Sequence, residues 1–486
     1  MDYGSATSGE AQSPERPTPA DFDKYLPWAC AQLSVEIDIV VVRSLLKTFQ
    51  SSAASDRSSK FKKMKAKPSS SLTYTSEPEI GEKTAKFAKS GMETNPFITV
   101  ETVYDNLGNL VQLKFLNNVI PIPAKVIKLI GLLVPFHKHL TNITINSGIG
   151  ADTIYEISKF LPASNITELC LDGAFIAAAN YDLLLTKCHL KYLSLSKCKI
   201  TDAVVKTIVD KLYFTLPASK SLSALNLSTN RVTDVGAKHL AEVLRLNRQL
   251  CYLNLADNMI SDEGAISILD VLHNFHLTPK ELKEYRTRYM RYLKTRNDLI
   301  ESYIMELNDA EAKKVVKKKN NKPNNPVPSR RKSLERDTTS RSSMEKAAAA
   351  AQTQYFRERA RFLAVSKLGG FLDPFSATNT EEKDGLVYCY GNNALSYLNL
   401  AYNNISHITV KKLYEVLVTQ KYLNRKPRGL VNVVIEGNNI PIISAELHGI
   451  NEIIESNLSN IPKPSSEMAK RKSIAPKPGG KQSLDR

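Results

Sequence analysis

The sequence predicts an α/β solenoid, a stack of short parallel strands each followed by a helix, interrupted by a helical, partly disordered insertion. Three observations predict it. The first is the pattern Leu-x-x-Leu-x-Leu-x-x-Asn-x-Ile/Val. Its cleanest copies are Leu222, Leu225, Leu227, Asn230, Val232; then Leu250, Leu253, Leu255, Asn258, Ile260; then Leu395, Leu398, Leu400, Asn403, Ile405. Three copies with Asn at one offset make a repeat, and stacked repeats bury a core that no unit could bury alone. The second is the segment just after the motif: Thr233-Asp234-Val235-Gly236 and Ser261-Asp262-Glu263-Gly264 carry helix-capping chemistry. Apolar stripes come next, Val235, Leu240, Val243 and Leu244, then Ile266, Leu269 and Leu272. The third is the break: after Phe275 the next copy begins only at Leu395.

Weaker copies extend the array. Leu190, Leu193, Leu195, Cys198, Ile200 fit with Cys in the Asn slot, and Ile166, Leu169, Leu171, Ala174, Ile176 fit except for the Ala. Leu140, Ile143 and Ile145 start a copy that decays into Gly148 and Gly150, and Leu430, Val433, Ile435, Asn438, Ile440 close the series. This makes about seven units, the terminal ones degenerate as capping repeats are. With Asp-x-Gly opening the helix, they resemble leucine-rich repeats of the ribonuclease-inhibitor class over roughly residues 138–275 and 393–455. The resemblance implies a leucine-rich-repeat solenoid, a horseshoe that binds other proteins rather than catalysing a reaction.

Each motif position has a physical task. Leu-x-Leu is a strand with its leucines inward, because successive strand residues alternate faces. The Asn leaves the strand and bonds backbone groups that would otherwise be buried unpaired. Cys198 and Ala174 bond less in that slot, so looser turns are expected there. The position before Leu-x-Leu points out on the concave side and holds Glu168, Tyr192, Ala224, Tyr252 and Tyr397. If the insertion loops out, Tyr252 and Tyr397 sit on adjacent strands about 5 Å apart, with Tyr402 just beyond its strand. This stripe, Glu168 included, is the candidate partner-binding surface, since interface cores favour tyrosine. The alternative is that the tyrosines only stack on one another.

The remaining chain divides by composition. Residues 1–20 read as a disordered leader. Residues 21–50, with Trp28 and the largely apolar Ile37–Val42, are either a packed element or a partner-binding segment. Residues 51–95 read as a basic disordered linker. In 96–137, Val100–Asp105 and Leu110–Phe115 alternate around Asn106-Leu107-Gly108-Asn109, a hairpin; with Pro121–Leu133 it caps the first repeats, 138–275. The insertion, 276–392, splits in three. Pro279–Lys314 is a charged helix marked by Leu282, Tyr285, Tyr289, Leu293, Leu299 and Ile304, and Val315–Arg341 is a basic linker. Met344–Leu368 is a second helix, begun by Ala347–Ala351 and stopped by Gly369-Gly370. The whole insertion is either a docking arm or a hairpin folded over the repeats. The last repeats occupy 393–457, and 458–486 form a basic disordered tail.

The formal charge of +17 is concentrated outside the repeats. Ser51–Lys89 contains Lys60, Lys62, Lys63, Lys65 and Lys67; Lys313–Arg341 contains Lys317-Lys318-Lys319 and Arg330-Arg331-Lys332; the tail contains Lys470-Arg471-Lys472. Rich in Ser and Pro and poor in apolar residues, all three read as disordered. They are either solvated linkers or arms that grip an acidic surface, such as tubulin tails or an acidic membrane face. Nucleic acid is not favoured, since no folded binding module and no regular aromatic interleaving accompany the charge. Ser333 and Ser473 each follow a basic triplet and match basophilic kinase sites. A phosphate there removes nearly two units of positive charge.

Several classes are disfavoured. Six cysteines (Cys30, Cys170, Cys188, Cys198, Cys251, Cys389) show neither zinc spacing nor a paired framework, which reads as buried thiols in a reducing compartment. No signal peptide is visible and no apolar run spans a bilayer; Val126–Phe136 carries Lys128 and reads as a cap helix. A soluble, cytoplasmic protein is expected. Gly81-Glu82-Lys83-Thr84 lacks the glycines of a phosphate-binding loop, the histidines show no metal spacing, and no serine sits in a nucleophile elbow. No catalytic, cofactor-binding or metal-binding residue is therefore assigned, and no small-molecule substrate is expected.

The layout itself carries a further resemblance. A Lys/Ser-rich leader, a hairpin, repeats split by a basic helical insertion and a basic tail are joined by Leu-Ser-Lys-Cys-Lys-Ile at 195–200, Leu-Asn-Leu-Ala-Asp-Asn at 253–258 and Tyr-Leu-Asn-Leu-Ala-Tyr-Asn at 397–403. Together they resemble the leucine-rich repeat-containing protein 71 family. The resemblance implies a non-enzymatic scaffold of the cilium or sperm flagellum, with axonemal or other microtubule-associated partners in the cytoskeleton. Two other classes share the repeat type: Ran GTPase-activating proteins, which regulate a small GTPase, and tropomodulin, an actin-associated regulator. The first resembles an acidic-tailed array, whereas this tail is basic, and no arginine or asparagine here can be assigned to GTP hydrolysis.

Overall fold

Leu225, Leu253 and Leu398 are fully buried at the centres of three-residue strands, the length that Leu-x-Leu allows before the Asn turns the chain. The computed structural model describes residues 16–46, 97–320, 338–441 and 443–459. They fall into two units, Met1–Leu272 with Asn392–Arg486, and His273–Gly391.

The first unit opens with helix α1 (Phe22–Gln32), strand β1 (Asp38–Leu45), the hairpin of β2 (Phe97–Tyr104) and β3 (Leu110–Phe115), and helix α2 (Ala124–Leu133). The repeats come next: β4 (Asn142–Ile145), α3 (Ala151–Phe160), β5 (Glu168–Cys170), β6 (Tyr192–Ser194), α4 (Asp202–Lys211), the short α5 (Ala218–Ser221), β7 (Ala224–Asn226), α6 (Asp234–Leu244), β8 (Tyr252–Asn254) and α7 (Asp262–Leu272). The second unit supplies β9 (Phe275–His276), α8 (Pro279–Asn320), α9 (Thr338–Leu368), β10 (Thr380–Lys383) and β11 (Leu386–Cys389). The first unit then resumes with β12 (Tyr397–Asn399), α10 (His407–Leu423), β13 (Asn432–Val434) and α11 (Ala445–Ser459).

One ten-stranded sheet runs β1-β2-β3-β4-β5-β6-β7-β8-β12-β13. All its pairs are parallel except β2 with β3. It is the predicted solenoid, and β12 pairs with β8 as though the second unit were absent from the sequence. Leu222, Leu227, Leu250, Leu255, Leu395 and Leu400 line the core at 0–1% exposure, each worth roughly 1.5–3 kcal/mol on burial.

The Asn slot ties neighbouring repeats. Asn230 Nδ2 donates to the carbonyls of Leu195 (2.9 Å) and Leu227 (3.0 Å), while its Oδ1 accepts the amides of Cys198 and Ile200, both at 3.0 Å. Asn258 and Asn403 repeat the scheme. The looser turns expected at the two substituted slots are not found. Cys198 Sγ donates to Leu171 O at 3.1 Å. Beside Ala174, the Tyr181 hydroxyl donates to Ala174 O at 2.8 Å and accepts the Ile176 amide at 3.2 Å, doing the work of an asparagine from seven positions away.

The Asp-x-Gly motif serves the next repeat. Asp202 accepts the amide and hydroxyl of Thr233 (2.8 and 2.7 Å) and the amide of Gly236 (3.0 Å). Asp234 does the same for Ser261 and Gly264. A Cβ at Gly236 would sit 2.5 Å from Asp202 Oδ1, so a side chain there would force the carboxylate to shift. Asp262 accepts from Ser406 and from the amide and hydroxyl of Thr409.

Residues 21–50 had two open readings, and the described part is a packed element. Phe22 and Leu26 are buried, Tyr104 Oη donates to Asp23 Oδ1 at 2.8 Å, and β1 lies parallel to β2 at the sheet edge. The hairpin is thus covered by a further strand rather than being outermost.

The second unit contains the two predicted helices, with corrected bounds. α8 runs six residues past Lys314, so Lys317, Lys318 and Lys319 lie on helical backbone rather than in a linker, and α9 begins at Thr338 rather than Met344. Lysine propagates a helix well, and nothing before Pro323 stops it. α8 and α9 lie side by side, the start of α8 beside the end of α9. Arg288 pairs with the buried Asp373 at 2.7 Å, and Tyr292 Oη donates to Gly369 O at 3.0 Å. Phe371 packs among Tyr285, Tyr289 and Tyr292. An unforeseen antiparallel sheet, β10-β11-β9, completes the unit.

Arg330, Arg331, Lys332 and Ser333, and in the tail Lys470, Arg471, Lys472 and Ser473, lie outside the described residues. So do residues 51–95.

Candidate functional site

Parallel strands in register bring equivalent side chains into rows at the inter-strand spacing of about 4.8 Å. The residue before each central leucine forms one such row on the open side of the sheet: Glu168, Tyr192, Ala224, Tyr252, Tyr397 and Asn432. Tyr252 and Tyr397 stack with centroids 4.3 Å apart and planes 4° from parallel. Tyr192 lies on the far side of Ala224, whose methyl leaves the row open between Tyr192 and Tyr252, about 10 Å apart across two strand spacings. Glu168 ends this stretch and accepts a hydrogen bond from Asn142 Nδ2.

Both readings of the tyrosine stripe therefore have a physical counterpart. Tyr252 and Tyr397 stack on each other, and both remain half-exposed along the face. Burial, followed by the neighbouring Tyr397 phenol, pushes the Tyr252 pKa up to about 12. The phenol is therefore a neutral hydrogen-bond donor at physiological pH. Tyr402 is not in the row. It sits on the turn after β12 with φ 54°, 64% exposed, and its ring covers Gly437, where a Cβ would meet Tyr402 Cδ1 at 2.3 Å.

A second row parallel to the first was missed at the level of sequence: Cys170, Ser194, Asn226, Asn254, Asn399 and Val434. Asn254 and Asn399 turn their side-chain oxygens onto the amides of Ala256 (3.1 Å) and Ala401 (2.9 Å). Asn226 Nδ2 donates to Ser194 Oγ at 2.9 Å, and Ser194 Oγ donates to Asp172 Oδ1 at 2.5 Å. The recurring Leu-Asn-Leu of 225–227, 253–255 and 398–400 is the signal that would have found it. Aromatic faces beside carboxamides, on a rigid sheet, can hold a peptide chain by stacking and hydrogen bonding.

The cysteines offer no reactive group on this face. Burial pushes the thiols of Cys170 and Cys198 up to about 11, so both stay protonated. Among the described residues, no three His, Cys, Asp or Glu side chains are grouped to hold a metal ion, and no helix is long and apolar enough to cross a membrane.

The Leucine Rich repeat family model matches residues 186–208, 218–241 and 247–269. These segments hold β6 to α7, the most regular part of the array. No curated protein matches the sequence. Among solved structures, the chain is similar to an internalin from Listeria monocytogenes at 12% identity and a TM-score of 0.28. That match covers 72% of this chain and 63% of the internalin, so this chain spans less than two thirds of that protein's length. The array is one of leucine-rich repeats, a fold whose ordinary work is binding other proteins rather than catalysis.

Proposed function

We propose that this chain is a non-enzymatic protein–protein interaction scaffold and a structural component of the ciliary or flagellar axoneme. Its concave row Tyr192, Tyr252 and Tyr397, flanked by Glu168 and rimmed by Tyr402, is the surface that holds a partner protein. The observation that carries the binding reading is the Tyr252–Tyr397 stack: the row continues in register past a large insertion. The axonemal part is supported by the sequence resemblance and by the basic segments, whose charge suits acidic tubulin tails. In this reading Lys317–Lys319, Arg330, Arg331 and Lys470–Lys472 add electrostatic attraction, which phosphorylation at Ser333 or Ser473 weakens.

Microtubule co-sedimentation of the full chain across a salt series, beside a version lacking 311–342 and 462–486, tests the proposal. Salt-sensitive binding that the deletion abolishes is expected. No binding at low salt would remove the microtubule partner and leave the concave face as the place to look.

A further inference from the structure

Within the second unit, α8 and α9 enclose a groove of about 560 Å³ whose walls carry Arg296 from one helix and Arg357 and Arg361 from the other. Its apolar surface comes from Ile300, Ile304 and Val365. Among the described residues, none of these three arginines makes an ion pair, and the groove's one acid, Glu301, pairs with none of them. The Nε of Arg296 is buried and has no hydrogen-bond acceptor. A buried donor without a partner is costly and rare, and in a native protein it often marks a ligand or ion that completes the site. Three guanidinium groups against one carboxylate around one groove also leave a net positive local potential that draws an anion.

The geometry points to an acidic peptide bound in extended form along this groove. Arg357 and Arg361 are one turn apart on α9, about 6 Å along the axis. Alternate side chains of an extended peptide recur at about 6.7 Å, so two glutamates at positions i and i+2 meet the two arginines together. Guanidinium groups take carboxylates in two-point hydrogen bonds. The stems of the glutamates lie on Ile300, Ile304 and Val365, which a free inorganic anion would leave bare, and a third carboxylate supplies the acceptor that Arg296 lacks. This site is separate from the concave row and shares with the proposal above only the acidity of its partner.

Fluorescence anisotropy with a labelled eight-residue glutamate peptide and the full chain, at about 0.15 M salt where loose charge attraction is screened, tests this. Arg357 and Arg361 are exposed, so R357A/R361A keeps the fold, which a melting curve verifies. The double variant is expected to bind about tenfold more weakly, having lost two charged hydrogen-bonded contacts. A variant with the exposed Lys206 and Lys220 changed to Ala, which removes as many positive charges outside both proposed sites, is expected to bind like the parent. Equal affinity of parent and R357A/R361A would overturn the inference. So would displacement of the peptide by inorganic phosphate at matched ionic strength, which would mark a single-anion site. Peptide binding by the groove without microtubule pelleting would remove the microtubule partner from the proposal above and leave this one standing.

Discussion

Asn403 Oδ1 accepts the amide of Ile260 at 3.1 Å, a bond that closes across 143 positions of sequence. The same side chain donates to the carbonyls of Leu255, Leu400 and Ala401. One carboxamide thus satisfies four backbone groups where the array resumes. Asn403→Ala leaves them without that partner in a buried turn. The expected cost is about 2–4 kcal/mol, read from the denaturant midpoint. A cost below about 1 kcal/mol would mean that solvent reaches the turn and replaces the bonds.

Excision of the second unit should leave the array folded. The Asn392 amide donates to Val271 O at 2.8 Å, and Asn392 Nδ2 donates to Leu244 O and Asn247 O. The exit and re-entry points are therefore already in contact, and a short Gly-Ser linker in place of 273–391 spans them. A single cooperative unfolding transition is the expected result. Loss of cooperativity would show that the repeats depend on the second unit.

Tyr252 should titrate late. Its pKa of about 12, against an ordinary value near 10, arises first from burial and then from Tyr397. Because the folded value is raised, the associated stability is complete below about pH 10 and is lost as pH rises from there through about 12. The phenolate absorbance difference between parent and Tyr252→Phe isolates this group. Tyr397→Phe should move it down while burial keeps it above its ordinary value. An unshifted Tyr252 would mean that the stack is open in solution.

Asp262 should respond at the acid end. Burial alone would raise its pKa, but hydrogen bonds donated by Ser406 and Thr409 outweigh burial and hold it below the ordinary value. The stabilisation is therefore present above the unfolded carboxyl value, near 3.9, and is lost as pH falls through the lower folded one. Asp262→Asn is expected to cost about 1–2 kcal/mol at neutral pH and to flatten the acid limb of stability. Parallel acid limbs in the two proteins would remove Asp262 from the account.

Much of the fold was legible because the Leu-x-Leu and Asn positions each have one physical task, and a task repeated at fixed spacing survives even where the side chain changes. The concave row was legible for the same reason, since strand alternation alone places Tyr192, Tyr252 and Tyr397 on one face. What escaped was structure that departs from the period. Tyr181 fills an asparagine's role from outside the motif. Strand β1 finds its parallel partner β2 far along the chain, which no local pattern announces. The hairpin of β10 and β11 did leave a mark, Asp384-Gly385 with φ of 53° and 73°, a dipeptide that favours tight hairpin turns. Its exposed, charged first strand hid it. Tyr402 is set apart from the row by the left-handed turn after β12, where its ring covers Gly437.

The contact between Asn392 and Val271 also bears on how force passes through the molecule. Asn392 is held by three bonds where the chain returns to the array, its amide on Val271 O and its Nδ2 on Leu244 O and Asn247 O. A pull along the chain from residue 391 loads these bonds before it reaches β12. The array thus carries an anchor of its own at the re-entry point, made from carbonyls at the ends of α6 and α7 rather than from β12 itself.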